Sequence, residues 1–354
     1  MIDYKKELRE LILTTIKEGA SDLHINAGRH PTIRISGTLV PLVKNPILTP
    51  PDTAGLVFAM LDDNNKKSLL EKKELDFSYS FEEKSRFRVN AFYQRGFLSA
   101  ALRIIPNNVK SFKDLNLPEV LSDFAKREQG FFLVVGPIGH GKSTTLASMV
   151  DHINHFSSKH ILTIEDPLEY LFTQDKCIVD QREVKSDTAD FHTALRSMFR
   201  QDINVAMIGE MRDIETISTA VTAAETGHLV LSSLHTNNAA QTVDRIIDSF
   251  PSSQQNQIRI QLASVLLGIF SQRLLPRVSG GRIPAYELLV NTPAVRTLIR
   301  EGRTHEINMV IETGYEQGMV SLNRSLALLV RDGEITMRDA VGYSLNPKGL
   351  EALV

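Results

Sequence analysis

Residues 131–144 read Phe131-Phe132-Leu133-Val134-Val135-Gly136-Pro137-Ile138-Gly139-His140-Gly141-Lys142-Ser143-Thr144. An apolar run (131–135) leads into a glycine-rich octet (136–143), and a helix-like run (144–154) follows. In the order strand, glycine loop, helix, the backbone curls its N–H groups around one anion, and the helix adds the positive end of its dipole. Lys142 then supplies a point charge for nucleotide β/γ-phosphates, and the Ser143 hydroxyl is suited to Mg²⁺. The expected contacts to ATP are Gly136, Gly139, His140, Gly141, Lys142, Ser143 and Thr144. The alternative is a glycine turn that binds nothing, and the flanking strand and helix patterns argue against it.

Beyond this loop the pattern alternates. Residues 161–164, 205–208 and 229–233 read as short buried strands separated by helical runs, which predicts an α/β domain with a mainly parallel sheet. Ile214, Ile217, Ala220, Val221 and Ala224 recur at helical spacing, and Gly227 stops that helix. The last third reads as helical, with Met319, Leu322, Leu326, Leu329 and Val330 on one face.

The N-terminal part differs. Leu8, Leu11, Ile12 and Ile16 mark a helix that ends at Gly19. Strand patterns follow at 20–25 and 33–42, with Ser36-Gly37 as a turn, then a helical stretch at 52–70 and strands at 75–81 and 86–105. This segment is α+β and occupies 1–105. The turn-rich span 106–118 reads as a linker, and 119–354 forms the second domain.

Composition bounds the function. The chain has 354 residues, 42% of them hydrophobic and 23% charged, enough for two domains with their own cores. A net charge of −2 leaves no basic footprint, so nucleic acid is not an expected partner. Cys177 is the single cysteine. It excludes an internal disulfide and a cysteine metal cluster, suits a reducing compartment, and reads as a packing residue. No apolar stretch reaches the roughly 18 residues of a membrane span. The start, Met1-Ile2-Asp3-Tyr4-Lys5-Lys6-Glu7, reads as an amphipathic helix opening rather than a signal peptide. A cytoplasmic protein that docks on a membrane partner is expected.

The loop needs acids. Strand 205–208 runs into Gly209-Glu210, which offers one carboxylate for Mg²⁺ where a pair is common. A second acid must come from elsewhere, and Glu165, Asp166 and Glu169 follow strand 161–164. Strand C-terminal ends are where ligands bind in open α/β sheets. Glu169 is expected to activate the attacking water, with Glu165 and Asp166 as Mg²⁺ or loop-ordering acids. Solvated loop acids are the alternative. His228 and His235 flank strand 229–233, either as γ-phosphate sensors or as structural residues; their spacing is not that of metal ligands.

A further clue lies in 86–105. If Arg95-Gly96 is a two-residue turn, Arg88 lies opposite Arg103. Like charges directly opposite are destabilising, and an anion such as a γ-phosphate would remove that penalty. Otherwise each arginine pairs separately with carboxylates.

Together these motifs resemble the PilT-type retraction ATPases of type IV pili, within the secretion ATPase superfamily. The resemblance spans essentially the whole chain. It is carried by Ala20-Ser21-Asp22-Leu23-His24-Ile25, Arg86-Phe87-Arg88-Val89-Asn90-Ala91-Phe92, Ile164-Glu165-Asp166-Pro167-Leu168-Glu169, Gly209-Glu210-Met211-Arg212-Asp213 and Ala224-Glu225-Thr226-Gly227-His228-Leu229-Val230. It implies an N-terminal PAS-like domain, a RecA-like P-loop ATPase domain with a helical C-terminal part, and a homohexameric ring with ATP bound where the domains meet. It implies Glu169 as the base, Ser143 and Glu210 on Mg²⁺, and Arg88 and Arg103 near the γ-phosphate. The stretches around Glu165 and His235 match the family's Asp and His boxes. The implied partner is an inner-membrane pilus platform protein, and the implied work is pilus retraction.

The single cysteine excludes the four-cysteine zinc module of extension-type relatives. Ala294-Val295-Arg296-Thr297-Leu298-Ile299-Arg300-Glu301 resembles the late helix motif of the retraction branch, with differences at two positions. An accessory pilus ATPase paralogue and a nucleotide-dependent scaffold are the alternatives. A small-molecule kinase lacks an acceptor lid here, and a translocase lacks the charge. Ile138 and His140 stand where the family usually has Thr and Ser. A protonated His140 beside phosphate is expected to tighten ATP binding as pH falls.

Overall fold

The computed structural model describes residues 3–35, 37–82 and 85–354. Met1, Ile2 and Ser36, the last expected in a turn, lie outside them. The chain divides into two compact units, Met1–Asn107 and Asn108–Val354.

The first unit contains α1 (Tyr4–Lys17), β1 (Asp22–Ile25), β2 (Thr32–Ile35), β3 (Thr38–Pro41), α2 (Pro50–Phe58), α3 (Asp63–Lys72), β4 (Glu74–Phe81), β5 (Ser85–Gln94) and β6 (Phe97–Ile105). Its strands form one antiparallel sheet in the order β3-β2-β1-β6-β5-β4. Leu23, Val89, Ala91 and Leu102 point to one face and are buried with Leu8, Leu11, Ile12, Leu56 and Val57 of the helices. The helical span at 52–70 is two helices, because Asp62 caps a new one by accepting from the Asn65 N–H. Thr15, not Ile16, fills the last buried position of α1, its hydroxyl satisfied by the Leu11 carbonyl.

The second unit contains α4 (Val120–Ala125), β7 (Gly130–Val135), α5 (Lys142–Phe156), β8 (His160–Glu165), β9 (Ile178–Glu183), α6 (Phe191–Met198), β10 (Val205–Ile208), α7 (Ile214–Glu225), β11 (Leu229–Leu234), α8 (Ala239–Asp248) and α9 (Ser252–Val265). It continues with β12 (Leu266–Pro276), β13 (Arg282–Val290), α10 (Pro293–Glu301), α11 (Ile307–Thr313), α12 (Leu322–Arg331), α13 (Met337–Tyr343) and α14 (Pro347–Glu351). The sheet order is β13-β12-β7-β11-β10-β8-β9, parallel except for the β12–β13 pair.

Every residue of β7 is buried. Phe131, Leu133 and Val135 pack on one face, Phe132 and Val134 on the other. A strand covered on both faces is a continuous apolar run, which is why it reads so clearly. The expected α/β class therefore holds: an antiparallel N-terminal domain, then a parallel-rich mixed sheet with helices. The last third is not all helical, however. β12 and β13 extend the sheet, and β12 lies directly beside β7. Phe112 and Leu117, within the span 106–118, are buried in the second unit's core. No helix of the described residues is long and apolar enough to cross a membrane.

Candidate nucleotide site

The parallel strands of the second unit end at one edge, and four of those ends carry the candidate chemistry. β7 ends in the glycine loop, β8 in Glu165, β10 in Gly209-Glu210, and β11 in His235. Gly136, Gly139 and Gly141 all have positive φ, at 148°, 78° and 82°. A Cβ on Gly136 would lie 2.4 Å from the Gln272 carbonyl oxygen, so only glycine fits there. The loop turns directly into α5, whose first residues are Lys142, Ser143 and Thr144.

Lys142 is 7% exposed. Its ammonium donates to the Gly136 and Pro137 carbonyls at 2.9 and 3.0 Å, and to His235 Nδ1 at 3.1 Å. Burial pushes its pKa down to about 8; Glu210 works against that shift and Arg273 adds to it. His235 Nε2 lies 3.5 Å from Glu210 Oε2, and Arg212 pairs with the other Glu210 oxygen. Because the ammonium donates to Nδ1, the imidazole proton sits on Nε2, facing Glu210. Lys142, His235 and Glu210 thus form one chain across three strand ends. Ser143 is exposed, and no hydrogen bond of its hydroxyl occurs among the described residues.

The residues fit a nucleotide with Mg²⁺. A loop with three positive-φ glycines ends in an ammonium that already seeks oxygen acceptors. Ser143 and Glu210 offer hard oxygen ligands, which suit Mg²⁺. Among the described residues no group of three or more His, Cys, Asp or Glu could hold a metal alone.

Glu165 reaches the site from the neighbouring strand. A Cβ on Gly209 would lie 3.5 Å from Glu165 Cγ, so the single acid of β10 is accompanied by one from β8. Glu165 is 4% exposed and accepts from Thr163 Oγ1 and the Glu169 N–H, both at 3.0 Å. Burial raises its pKa to about 7 against those two hydrogen bonds. Glu169 is exposed. Its loop is tied to α5 where the Tyr170 hydroxyl meets Thr144 Oγ1 at 2.9 Å.

Three expectations need correction. Asp166 faces Lys185 at 3.8 Å rather than the loop. His228 precedes β11 and bonds the Ala223 carbonyl at 3.0 Å. Six strand residues, about 20 Å, separate it from the site edge, so the two histidines do not act together there. The signal was available: in a parallel sheet, residues before and after a strand lie on opposite edges. His140 turns its imidazole to β12, where Nδ1 accepts the Leu274 N–H at 2.9 Å. Its place in the phosphate cradle therefore rests on its main chain.

For Arg103 the structure takes the second of the two expected readings, pairing with a carboxylate. In the first unit the β5–β6 ladder does pair Arg88 with Arg103, around a turn with Arg95 at φ 51° and Gly96 at φ 85°. But β1 lies on the other side of β6 and sets Asp22 opposite Arg103. Arg103 Nε donates to Asp22 Oδ1 at 2.8 Å. An acid from a third strand relieves the like-charge pair without a bound anion. Burial would raise the Asp22 pKa, but hydrogen bonds from Ser21 and Arg103 outweigh it and hold it low. Arg88 is exposed, with no ion pair among the described residues.

Sequence reading missed Gln272, on β12. It is 3% exposed, takes a hydrogen bond from Thr145 Oγ1 at 2.6 Å, and donates to the His140 carbonyl at 2.9 Å. The signal was the polar triplet Ser271-Gln272-Arg273 inside an apolar run, since buried polar groups require partners.

The fold and this edge define a P-loop nucleotide-binding protein. The chain belongs to the type II/IV secretion system protein family, which matches residues 4–281. It is 43% identical over 334 residues to the type IV pilus retractation ATPase PilT of Pseudomonas aeruginosa, covering 94% of this chain and 97% of that protein. It is 40% identical over 349 residues to the type IV pilus ATPase PilU of the same organism, covering 98% and 91%. A crystal structure of the pilus retraction motor PilT with bound ADP superimposes with a TM-score of 0.91 at 47% identity, covering 97% of this chain and 98% of that one.

Proposed function

We propose that this chain is the subunit of an ATP-hydrolysing motor that powers type IV pilus retraction. In this reading it works as a homohexamer at an inner-membrane platform protein, on the cytoplasmic side. One observation supports this above the rest: the Lys142–His235–Glu210 chain at the mouth of a P-loop, in a protein similar over nearly its whole length to a retraction motor.

The chemistry follows from the residues. The loop N–H groups and Lys142 hold the β/γ-phosphates, and Lys142 exchanges its loop carbonyls for phosphate oxygens. Ser143 and Glu210 would hold Mg²⁺, which would supply charge neutralisation at the phosphates. Glu169 takes a proton from the water that attacks the γ-phosphorus, and ADP leaves. His235, between Lys142 and Glu210, responds to whether a γ-phosphate is present. Arg88 and Arg103 of another subunit stabilise the transferring phosphoryl group, a role that can be worth about 10³–10⁵ in rate. Hydrolysis then moves the N-terminal domain of one subunit against the ATPase domain of the next.

The test is light-scattering mass with and without ATP, alongside ATPase activity. A nucleotide-dependent hexamer with turnover is expected; a monomer indifferent to nucleotide would overturn the motor reading. Mixing Lys142→Ala with Arg103→Ala subunits should change activity non-additively if sites are shared. The 40% identity to PilU over 98% of the chain favours one second reading, an accessory pilus ATPase. Restoration of twitching in a strain lacking the retraction ATPase separates the two.

A further inference from the structure

We propose that the P-loop is held in its phosphate-cradling shape by a latch to β12, in which His140 and Gln272 are positioning residues. The proposal deepens the reading that this loop binds nucleotide, and rests on it.

The loop carries positive φ at three glycines, the conformation with the largest freedom to lose. Ordering such a segment costs backbone entropy. If binding had to order it, affinity would suffer; a loop ordered beforehand avoids that loss. β12 supplies the ordering. His140 gives two acceptors to it, Nδ1 to the Leu274 N–H and its carbonyl to Gln272 Nε2, each at 2.9 Å. Gln272 Oε1 takes the Thr145 hydroxyl at 2.6 Å, within the first turn of α5. One buried amide therefore ties the crest of the loop to the start of the helix, with Lys142 between the two ties.

Gln272 also sets the glycines. Its carbonyl lies 2.4 Å from a Cβ on Gly136, and its Nε2 lies 2.9 Å from a Cβ on Gly141. The loop rests on this residue at both ends of its turn. β13 adds a contact from Arg282 to the Gly139 carbonyl at 3.2 Å, and Tyr343 of α13 stands edge-on to the His140 ring.

The latch requires His140 Nδ1 to be free of a proton, because it accepts from a backbone N–H. Three cations face the imidazole: Lys142 on α5, Arg273 on β12 and Arg282 on β13; Tyr343 is the other titratable neighbour. Burial first, then these cations, holds its pKa below the ordinary value. The latch is thus complete above the ordinary histidine pKa of about 6.5. It weakens as pH falls through and below that value. Nucleotide affinity should fall with it, opposite in sign to the expectation for a protonated histidine beside phosphate.

The test is titration of the purified full-length chain with a fluorescent ADP analogue at pH 7.5 and 6.0. His140→Ala and Gln272→Met should each weaken binding about tenfold at pH 7.5, as for a lost bond that orphans a buried partner. The double variant should lose less than the two losses combined. His140→Asn places an amide oxygen, which does not titrate, near the Nδ1 position. It should recover most of the affinity that His140→Ala loses and show a smaller pH dependence than the wild type. In turnover, the losses should fall on KM rather than kcat. Wild-type affinity in His140→Ala, or identical pH profiles for the wild type and His140→Asn, would overturn the latch. If Gln272→Met melts early, the two His140 variants still decide. A wild type that binds no ADP would instead defeat the underlying nucleotide reading.

Discussion

The site edge of the seven-stranded sheet and the open face of the N-terminal sheet both gather charge, but in different ways. At the edge, Lys142, His235 and Glu210 come from separate strand ends and meet end-on. Lys142 is nearly sealed from water, and its pKa falls to about 8. On the N-terminal face, Arg34, Asp22, Arg103 and Arg88 lie side by side along one row of the ladder. There the Arg103 side chain is 69% exposed, and solvent screens it. Charge at the edge is costly to hold and therefore responsive to a ligand. Charge on the face is cheap, satisfied by register, and needs no ligand to explain it.

Four perturbations should separate the edge from the face. The largest effect belongs to the edge. Glu169→Gln should cut turnover by about 10²–10⁴ while ADP still binds, as for loss of a general base. Near-normal steady-state turnover would remove Glu169 from that role.

Next is the buried ammonium. Burial pushes the Lys142 pKa down to about 8, and a bound phosphate favours its charged form. Binding should therefore take up a proton above pH 8, and affinity should fall there by at most about tenfold per pH unit. Calorimetry at pH 8.5 in two buffers of different ionisation enthalpy reads this directly, and zero uptake would refute it.

The face should respond more weakly. Arg103→Ala leaves nearly buried Asp22 with Ser21 and with Arg34 at 3.8 Å. It should cost the N-terminal unit about 1 kcal/mol in denaturant unfolding, discounted for exposure; Arg88→Ala should cost nothing measurable. The folded Asp22 pKa is lowered. The Arg103 contribution is therefore present above about pH 4 and lost as pH falls through the folded value. Equal costs for the two arginines would dismiss the pairing with Asp22. Both variants should still slow hydrolysis more than they weaken ATP binding.

Smallest is the turn. Arg95 has φ 51° where asparagine is preferred. Arg95→Asn should raise the melting temperature slightly, and a fall would contradict the turn geometry.

Some of this was legible because it depends on chain neighbours. The strands at 131–135, 161–164, 205–208 and 229–233 are short runs buried on both faces, and their apolar character needs no partner to be read. The two-residue turn at Arg95-Gly96 dictates the Arg88–Arg103 register, since loop length sets pairing in a hairpin. The gap at Gly209 pointed to Glu169 for the missing acid; the structure instead sets Glu165 beside that glycine, where it accepts from the Glu169 N–H.

Other features depend on residues far apart in sequence, and no spacing encodes them. Asp22 lies 81 residues from Arg103, and only the β1–β6 pairing brings them together. Gln272 lies 132 residues from His140, and β12 reaches the P-loop only because it is inserted beside β7. That a glycine loop with Lys142 follows a buried strand and opens a helix is legible from the residues alone, because φ preference and burial pattern are local. Tertiary structure alone decided what holds that loop, which way His140 faces, and which histidine reaches the site, because partners for buried polar groups are chosen by sheet order rather than by distance along the chain.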